Sequence, residues 1–171
     1  MPISVILTKK RDLRETLHFI ARLLKDVAQP WAFTGSVGMA LQGVNLEIAD
    51  IDIQTNQTGS YQIQDHLSKY TVSKVRYLES LNIRSHFGTF RINEIAVEVM
   101  GDIEKRLDDG SWIGPPNLYP IIRLIDLDGV NVPALDLEYE KEAYRILGRV
   151  DTVREVEEFL FRRRTSGGKS A

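Results

Sequence analysis

In the stretch ADIDIQ, Ala49 to Gln54, two aspartates stand on either side of one isoleucine. Residues two apart on a β-strand point the same way, so Asp50 and Asp52 share one face and Ile51 and Ile53 take the other. Their Cα atoms are then about 7 Å apart, from a rise of roughly 3.3 Å per residue. Two anions held that close repel unless a cation lies between them. A hard divalent ion suits such oxygen donors, and Mg2+ is the usual one where phosphates complete its shell. A third acid stands in IAVEVMGD, where Ile95, Val97 and Val99 alternate with Ala96, Glu98 and Met100. An acid inside an apolar strand is costly unless it is paired or metal-bound. If this strand lies beside the Asp50 strand, Glu98 joins the aspartates, and three carboxylates can hold two metal ions. Asp102 is the alternative third acid, provided Gly101 does not break the strand first.

Upstream lies Gly35-Ser36, a turn between WAFT and a short helix, SVGMALQG. The first N–H groups of a helix have no partner within it and bind phosphate well. Gly35 lets backbone approach a ligand closely. Ser36 can also serve as an ordinary helix cap. Arg84 and His86, in IRSHFG, are within reach of the same region by sequence. Arg84 is a candidate phosphate contact, and His86 reads better as a structural histidine.

The elements that position these residues follow from local patterns. Leu13, Leu17, Ile20, Leu24 and Val27 make one helical stripe over Asp12 to Val27, with Asp12 and Glu15 as a capping pair. Gln29-Pro30 ends it. WAFT is a short buried strand, and Gly43 closes the helix after it. Ser60 caps a helix over Tyr61 to Tyr70. SHFGTFRI and IAVEVMGD are strands joined at Asn93-Glu94. KRLDDGSWI is a smaller hairpin around Asp109-Gly110, and GPPNLYP is a loop. A helix covers Leu137 to Leu147, stopped by Gly148. Thr152 and Glu155 form a capping box that opens the last helix. RRRTSGGKSA has the composition of a turn and is expected to be disordered.

Bulk properties exclude several chemistries. The chain has 171 residues, enough for one domain with a single core. A net charge of −2 offers no blanket basic surface for nucleic acid. With no cysteine and three histidines, thiolate sites are impossible and a zinc centre is disfavoured. The start, MPISVILTKKRD, has the wrong order and length for a signal peptide, and no run approaches membrane-spanning length. A cytoplasmic, non-membrane protein is expected. Residues 1–164 are expected to be one domain and 165–171 a flexible tail.

Gly-Ser after a hydrophobic strand, a short helix, then Asp-Ile-Asp-Ile, then a lone acid in a later strand: this order resembles the nucleotidyltransferase superfamily related to DNA polymerase β. TGSVGMALQG followed by DIDI is most similar to its small members, the lincosamide and aminoglycoside adenylyltransferases and the nucleotidyltransferase toxins. The resemblance covers Phe33 to about Asp102 and extends more weakly into LEYEKEAYRILGR. It implies an α+β fold, a minimal nucleotidyltransferase with a mixed β-sheet, flanking helices and C-terminal helices. It implies transfer of a nucleoside monophosphate, AMP from ATP, to a hydroxyl acceptor with release of pyrophosphate. Asp50, Asp52 and Glu98 would be the catalytic acids and the ligands of Mg2+ or Mn2+. Gly35 and Ser36 match the phosphate turn, and Lys141 would face the nucleotide; by spacing, Lys141, Arg145 and Arg149 form a basic stripe, and pairing with Glu138 and Glu142 as salt-bridged surface is the alternative. The acceptor stays open between a small molecule, RNA and a protein, as does the oligomeric state. A catalytically silent nucleotide- or metal-binding relative, or a toxin–antitoxin component, are the alternatives. The chain departs from the pattern twice. VGMALQGVNLEIA contains no arginine, and Asp151-Thr152 stands where relatives have Lys-Asp.

Overall fold

Alternation of apolar and polar residues through the middle of the chain builds one mixed sheet. In the computed structural model, which describes residues 3–167, the strands are β1 (Trp31–Thr34), β2 (Ile51–Thr55), β3 (Thr71–Glu79), β4 (Ile83–Ile92), β5 (Ile95–Arg106), β6 (Trp112–Ile113), β7 (Ile122–Leu127) and β8 (Val130–Leu135). The helices are α1 (Ile3–Leu23), α2 (Gly35–Leu41), α3 (Gln57–His66), α4 (Leu137–Ile146) and α5 (Val150–Gly167). The sheet order is β3-β4-β5-β2-β1-β8-β7, with β6 pairing β5. The α+β class with a mixed sheet is as the sequence suggests.

The central joint is parallel, between β2 and β5, with Ile51 opposite Val97, Asp52 opposite Glu98 and Ile53 opposite Val99. One face of this joint is the core. Ile51, Ile53, Val97 and Val99 are fully buried there against Leu17 and Ile20 of α1, Leu24 just after it, and Ile63 of α3. Each such side chain contributes roughly 1.5–3 kcal/mol of burial. The other face carries the polar partners of the same alternation, and α2 and α4 stand over part of it. A smaller cluster of Met39, Val44, Leu137 and Val156 ties α2, α4 and α5 together.

Several boundaries differ from the sequence reading. Helix α1 begins at Ile3, so Asp12 lies inside it and caps nothing. Helix α3 begins at Gln57 and is capped by Asn56, whose side chain accepts from the Gly59 N–H. Ser60 is therefore interior, donating its hydroxyl to the Gln57 carbonyl. Helix α5 starts at Val150, ahead of the Thr152 box, and continues through Gly167. The expected disorder of 162–167 is thus replaced by helix; 168–171 lie outside the described residues. Strands β3, β7 and β8 were not anticipated. No helix among the described residues is long and apolar enough to cross a membrane.

Candidate active site

The acids converge because of the sheet register. Asp52 and Glu98 are direct partners across the β2–β5 joint, and Asp50 immediately precedes β2. One carboxylate oxygen from each of Asp50, Asp52 and Glu98 lies within 4.8 Å of the others. Asp102, the alternative, sits at a strand irregularity with φ +49° and is not in this cluster.

The turn reaches the same place from the other side. Thr34 pairs with Asp52 across β1 and β2. Gly35 follows with φ +64°, a conformation that glycine adopts without penalty. A Cβ placed there would stand 2.5 Å from Asp52 Oδ2. Glycine is therefore required twice, for its backbone and for the space beside Asp52. Ser36 enters α2 next to Tyr144, whose phenol oxygen lies 3.4 Å from the same hypothetical Cβ.

One residue that sequence reasoning missed organises the turn. Glu140 of α4 is 1% exposed. Its Oε1 accepts from Thr34 Oγ1 at 2.5 Å and from the Gly35 N–H at 3.0 Å. The first free N–H expected for phosphate is thus already taken by a carboxyl, which leaves the later amides of the turn and the Ser36 hydroxyl. The signal for Glu140 was its place between Leu137 and Ala143 on the buried stripe of its helix. Beneath it, Gln54 Nε2 donates to the Tyr139 hydroxyl at 3.0 Å, and Lys105 Nζ donates to the same oxygen at 3.4 Å. Lys105 is nearly buried, and desolvation lowers its pKa despite the attraction of Glu140.

The electrostatics are those of an anion-crowded cleft. Burial, and then repulsion from Asp50, Glu98 and Glu140, pushes Asp52 up from 3.8 to about 8. Burial and the charge of Asp50 also raise Glu98, and a hydrogen bond shared with Asp52 opposes that rise. The two carboxyl groups thus hold one proton between them. Burial raises Glu140 to about 7, opposed by the bonds from Thr34 and Gly35. Burial raises Tyr144 to about 12, helped by Glu140 and Asp52. Three hard oxygen donors, forced to retain a proton for want of positive charge, fit a divalent cation well.

The other expected contacts have partners of their own. Arg84 pairs with Glu104 through two bonds of 2.6 and 3.1 Å and stacks on Trp112, 4.5 Å from the ring centroid. Its register partner on β5 is six residues beyond Glu98, roughly 20 Å along the strand. Arg84 is therefore a structural clamp here, because a bidentate carboxylate and an aromatic face satisfy it fully. Lys141 is ion-paired with Glu138 at 2.6 Å, and Arg145 with Glu142. That stripe is salt-bridged surface. Arg149 instead lies over the Tyr144 ring, 5.5 Å from its centroid. His86 bonds the Tyr61 hydroxyl at 3.1 Å, the structural role anticipated.

Comparison with known proteins agrees with this architecture. A family profile described as aminoglycoside-2''-adenylyltransferase matches residues 16–159. A Thermotoga maritima protein, provisionally assigned as a nucleotidyltransferase, is 42% identical; the match covers 86% of this chain and 92% of that one, with a TM-score of 0.75. The lincosamide antibiotic adenylyltransferase LnuA, with lincomycin bound, shares the fold at 12% identity and a TM-score of 0.57, over 84% of this chain and 95% of its own. ANT(2'')-Ia in complex with adenylyl-2''-tobramycin does so at 12% and 0.54, over 86% and 89%. No match was found among curated proteins. A profile that spans most of the chain, on a sheet whose register gathers the expected acids, places this protein in the aminoglycoside-2''-adenylyltransferase family of nucleotidyltransferases.

Proposed function

We propose that the protein transfers a nucleoside monophosphate, AMP from ATP, to a hydroxyl acceptor and releases pyrophosphate. The convergence of Asp50, Asp52 and Glu98 opposite the Gly35-Ser36 turn carries this reading. Asp50, Asp52 and Glu98 would hold Mg2+ or Mn2+, which when bound supplies charge neutralisation for the phosphates and the leaving group. Ser36 and the amides that follow Gly35 orient the polyphosphate from the turn. Glu140 fixes that turn by holding Thr34 and Gly35. Tyr144, beside Ser36, closes the cleft from α4. The acceptor oxygen forms a bond to the α-phosphorus, and the α–β bridging bond breaks. Pyrophosphate leaves with that electron pair. The hydroxyl proton passes to the Glu98 carboxylate or to solvent. Positioning and charge neutralisation do the work, with no covalent protein intermediate.

The test is pyrophosphate release from ATP with α-labelled nucleotide in cell extract, with Mg2+ or Mn2+ and with EDTA. Wild type should release pyrophosphate and label an acceptor only with the metal. Asp50→Ala and Asp52→Ala should abolish both. Metal-independent release, or release unchanged in both variants, would refute the reading.

A further inference from the structure

Asp102 interrupts the alternation of β5, and the interruption decides where Lys105 points. Across the β4–β5 pair, Glu104 stands opposite Arg84 and Gly101 opposite His86, so Asp102 and Ile103 together face Ser85 alone. An extra residue on one strand re-aims the side chains beyond it. Counting by twos from Val97 and Val99 puts Lys105 on the core side; the bulge brings it out on the side of Glu98 and Met100 instead. Its contacts agree. Lys105 Nζ donates to the Tyr139 hydroxyl of α4 at 3.4 Å and lies 5.5 Å from the centroid of that ring. The same hydroxyl accepts from Gln54, the partner of Met100 across β2 and β5.

Lys105 is 7% exposed, and among the described residues it has no ion-pair partner. Burying an ammonium group costs free energy, and an apolar side chain of similar length would fill the space without that cost. Packing therefore does not explain the lysine. The buried acid that feels it is Glu140, one residue along α4 from Tyr139, and each favours the charged form of the other. The remaining groups around Glu140 supply no positive charge. Asp52 of β2 is an acid that Glu140 repels. Tyr139 and Tyr144 of α4 are phenols, both raised to about 12, first by burial. Thr34 and Gly35 of the turn are neutral donors.

A hydrogen bond to an ionised acceptor is about twice as strong as one between neutral groups. We propose that Lys105 is a positioning residue of the transfer site: its charge keeps the Glu140 carboxylate ionised, and the ionised carboxylate holds the Gly35-Ser36 turn in place for the polyphosphate. Lys105 acts through Glu140 and touches no reacting atom. The proposal rests on the transfer reading for what the turn binds.

Two measurements test it. The Gly35 N–H donates to Glu140, so its NMR resonance titrates with that carboxyl. Asp52→Asn without metal is the background, because Asp52 stands beside the same turn and would titrate too. There, Lys105→Met should raise the midpoint by about half a pH unit or more. Arg106→Gln, which removes a charge stacked on Trp112, should leave it in place. The second measurement is the pH profile of transfer at saturating Mg2+, with Asp52 intact. Its acid limb should move up in Lys105→Met by the same interval and down in Glu140→Gln. Lys105→Met/Glu140→Gln should match Glu140→Gln. A purely structural loss would lower the rate at every pH and leave the limb where it was. Thermal melting checks that each variant folds, and Lys105→Gln replaces Lys105→Met if that one does not. An unmoved midpoint, an equal rise in Arg106→Gln, or an unmoved acid limb would overturn the proposal. Absence of transfer by wild type would sink the transfer reading, and the Gly35 titration would then decide the hold of Lys105 on Glu140 by itself.

Discussion

At the scale of single residues, Asp52 is the most constrained group in the molecule. Its partners across both neighbouring strands, Thr34 and Glu98, are fixed by the ladder, so its carboxyl cannot turn away from Glu98. The cost appears as a raised pKa, from 3.8 to about 8, caused first by burial and then by the other acids. The folded chain therefore keeps a proton, between about pH 4 and pH 8, that the unfolded chain has released. The stability tied to this group is full below pH 4 and is lost as pH rises through 8. Glu140, raised to about 7, acts in the same direction. In EDTA the melting temperature should fall between pH 5 and pH 8, beyond the trend of an Asp52→Asn/Glu140→Gln variant. Mg2+ should restore more of it at pH 8 than at pH 5, where it must displace the proton. Scanning fluorimetry at both pH values checks this. Asp52→Asn should abolish transfer, at least a thousandfold, yet melt a few degrees higher than wild type in EDTA at pH 8, at roughly 2–4 °C per kcal/mol. A lower melting temperature there would refute the repulsion. The three acids were legible in the sequence because period two admits no other facing. Glu140 was not, because on a helix with three glutamates nothing but its phase with Leu137 and Ala143 sets it apart from Glu138 and Glu142.

At the scale of elements, helix α4 is fastened to the β1–α2 turn through one side chain. Glu140 satisfies the Thr34 hydroxyl and the Gly35 amide together. Glu140→Ala leaves both donors buried without a partner and should cost about 2–4 kcal/mol. Glu140→Gln keeps an acceptor oxygen and should cost less than half as much. Urea denaturation of the two variants checks the ratio; equal losses would mean that packing and not the bonds sets the cost. Gly35→Ala adds a Cβ against Asp52 at a left-handed backbone position. It should cost about 1–2 kcal/mol from the backbone alone, and reduce metal-dependent transfer more than tenfold by displacing Asp52. Where the sequence failed, it failed at element edges. β3 is an edge strand with two irregularities and a single buried residue, Val75, so its alternation is erased. The β7–β8 hairpin turns at Asp128-Gly129, and Pro133 lies inside β8, where a proline removes a ladder donor and so masks the strand. That proline is tolerated opposite Leu124 beside the outermost strand.

At the scale of the whole molecule, the site is assembled from parts far apart in sequence. The parallel β2–β5 joint closes only after α3, β3 and β4 have been laid down between its strands, and Glu140 arrives from the last third of the chain. The acids depend on the sheet, but the turn depends on α4, and α4 is held by the cluster of Met39, Val44, Leu137 and Val156. Val156 of α5 is fully buried in that cluster. Val156→Ala leaves a cavity and should cost about 1–3 kcal/mol. If α4 and α5 open as one unit ahead of the sheet, the loss falls on that opening. The Gly35 amide, held by Glu140, should then exchange about tenfold faster for each 1.4 kcal/mol lost, while the Val99 amide in the central joint slows or speeds only with global unfolding. Hydrogen exchange followed by NMR separates the two amides. Equal acceleration at Gly35 and Val99 would mean that the helices and the sheet unfold together, and that the Gly35-Ser36 turn is as stable as the core it stands on.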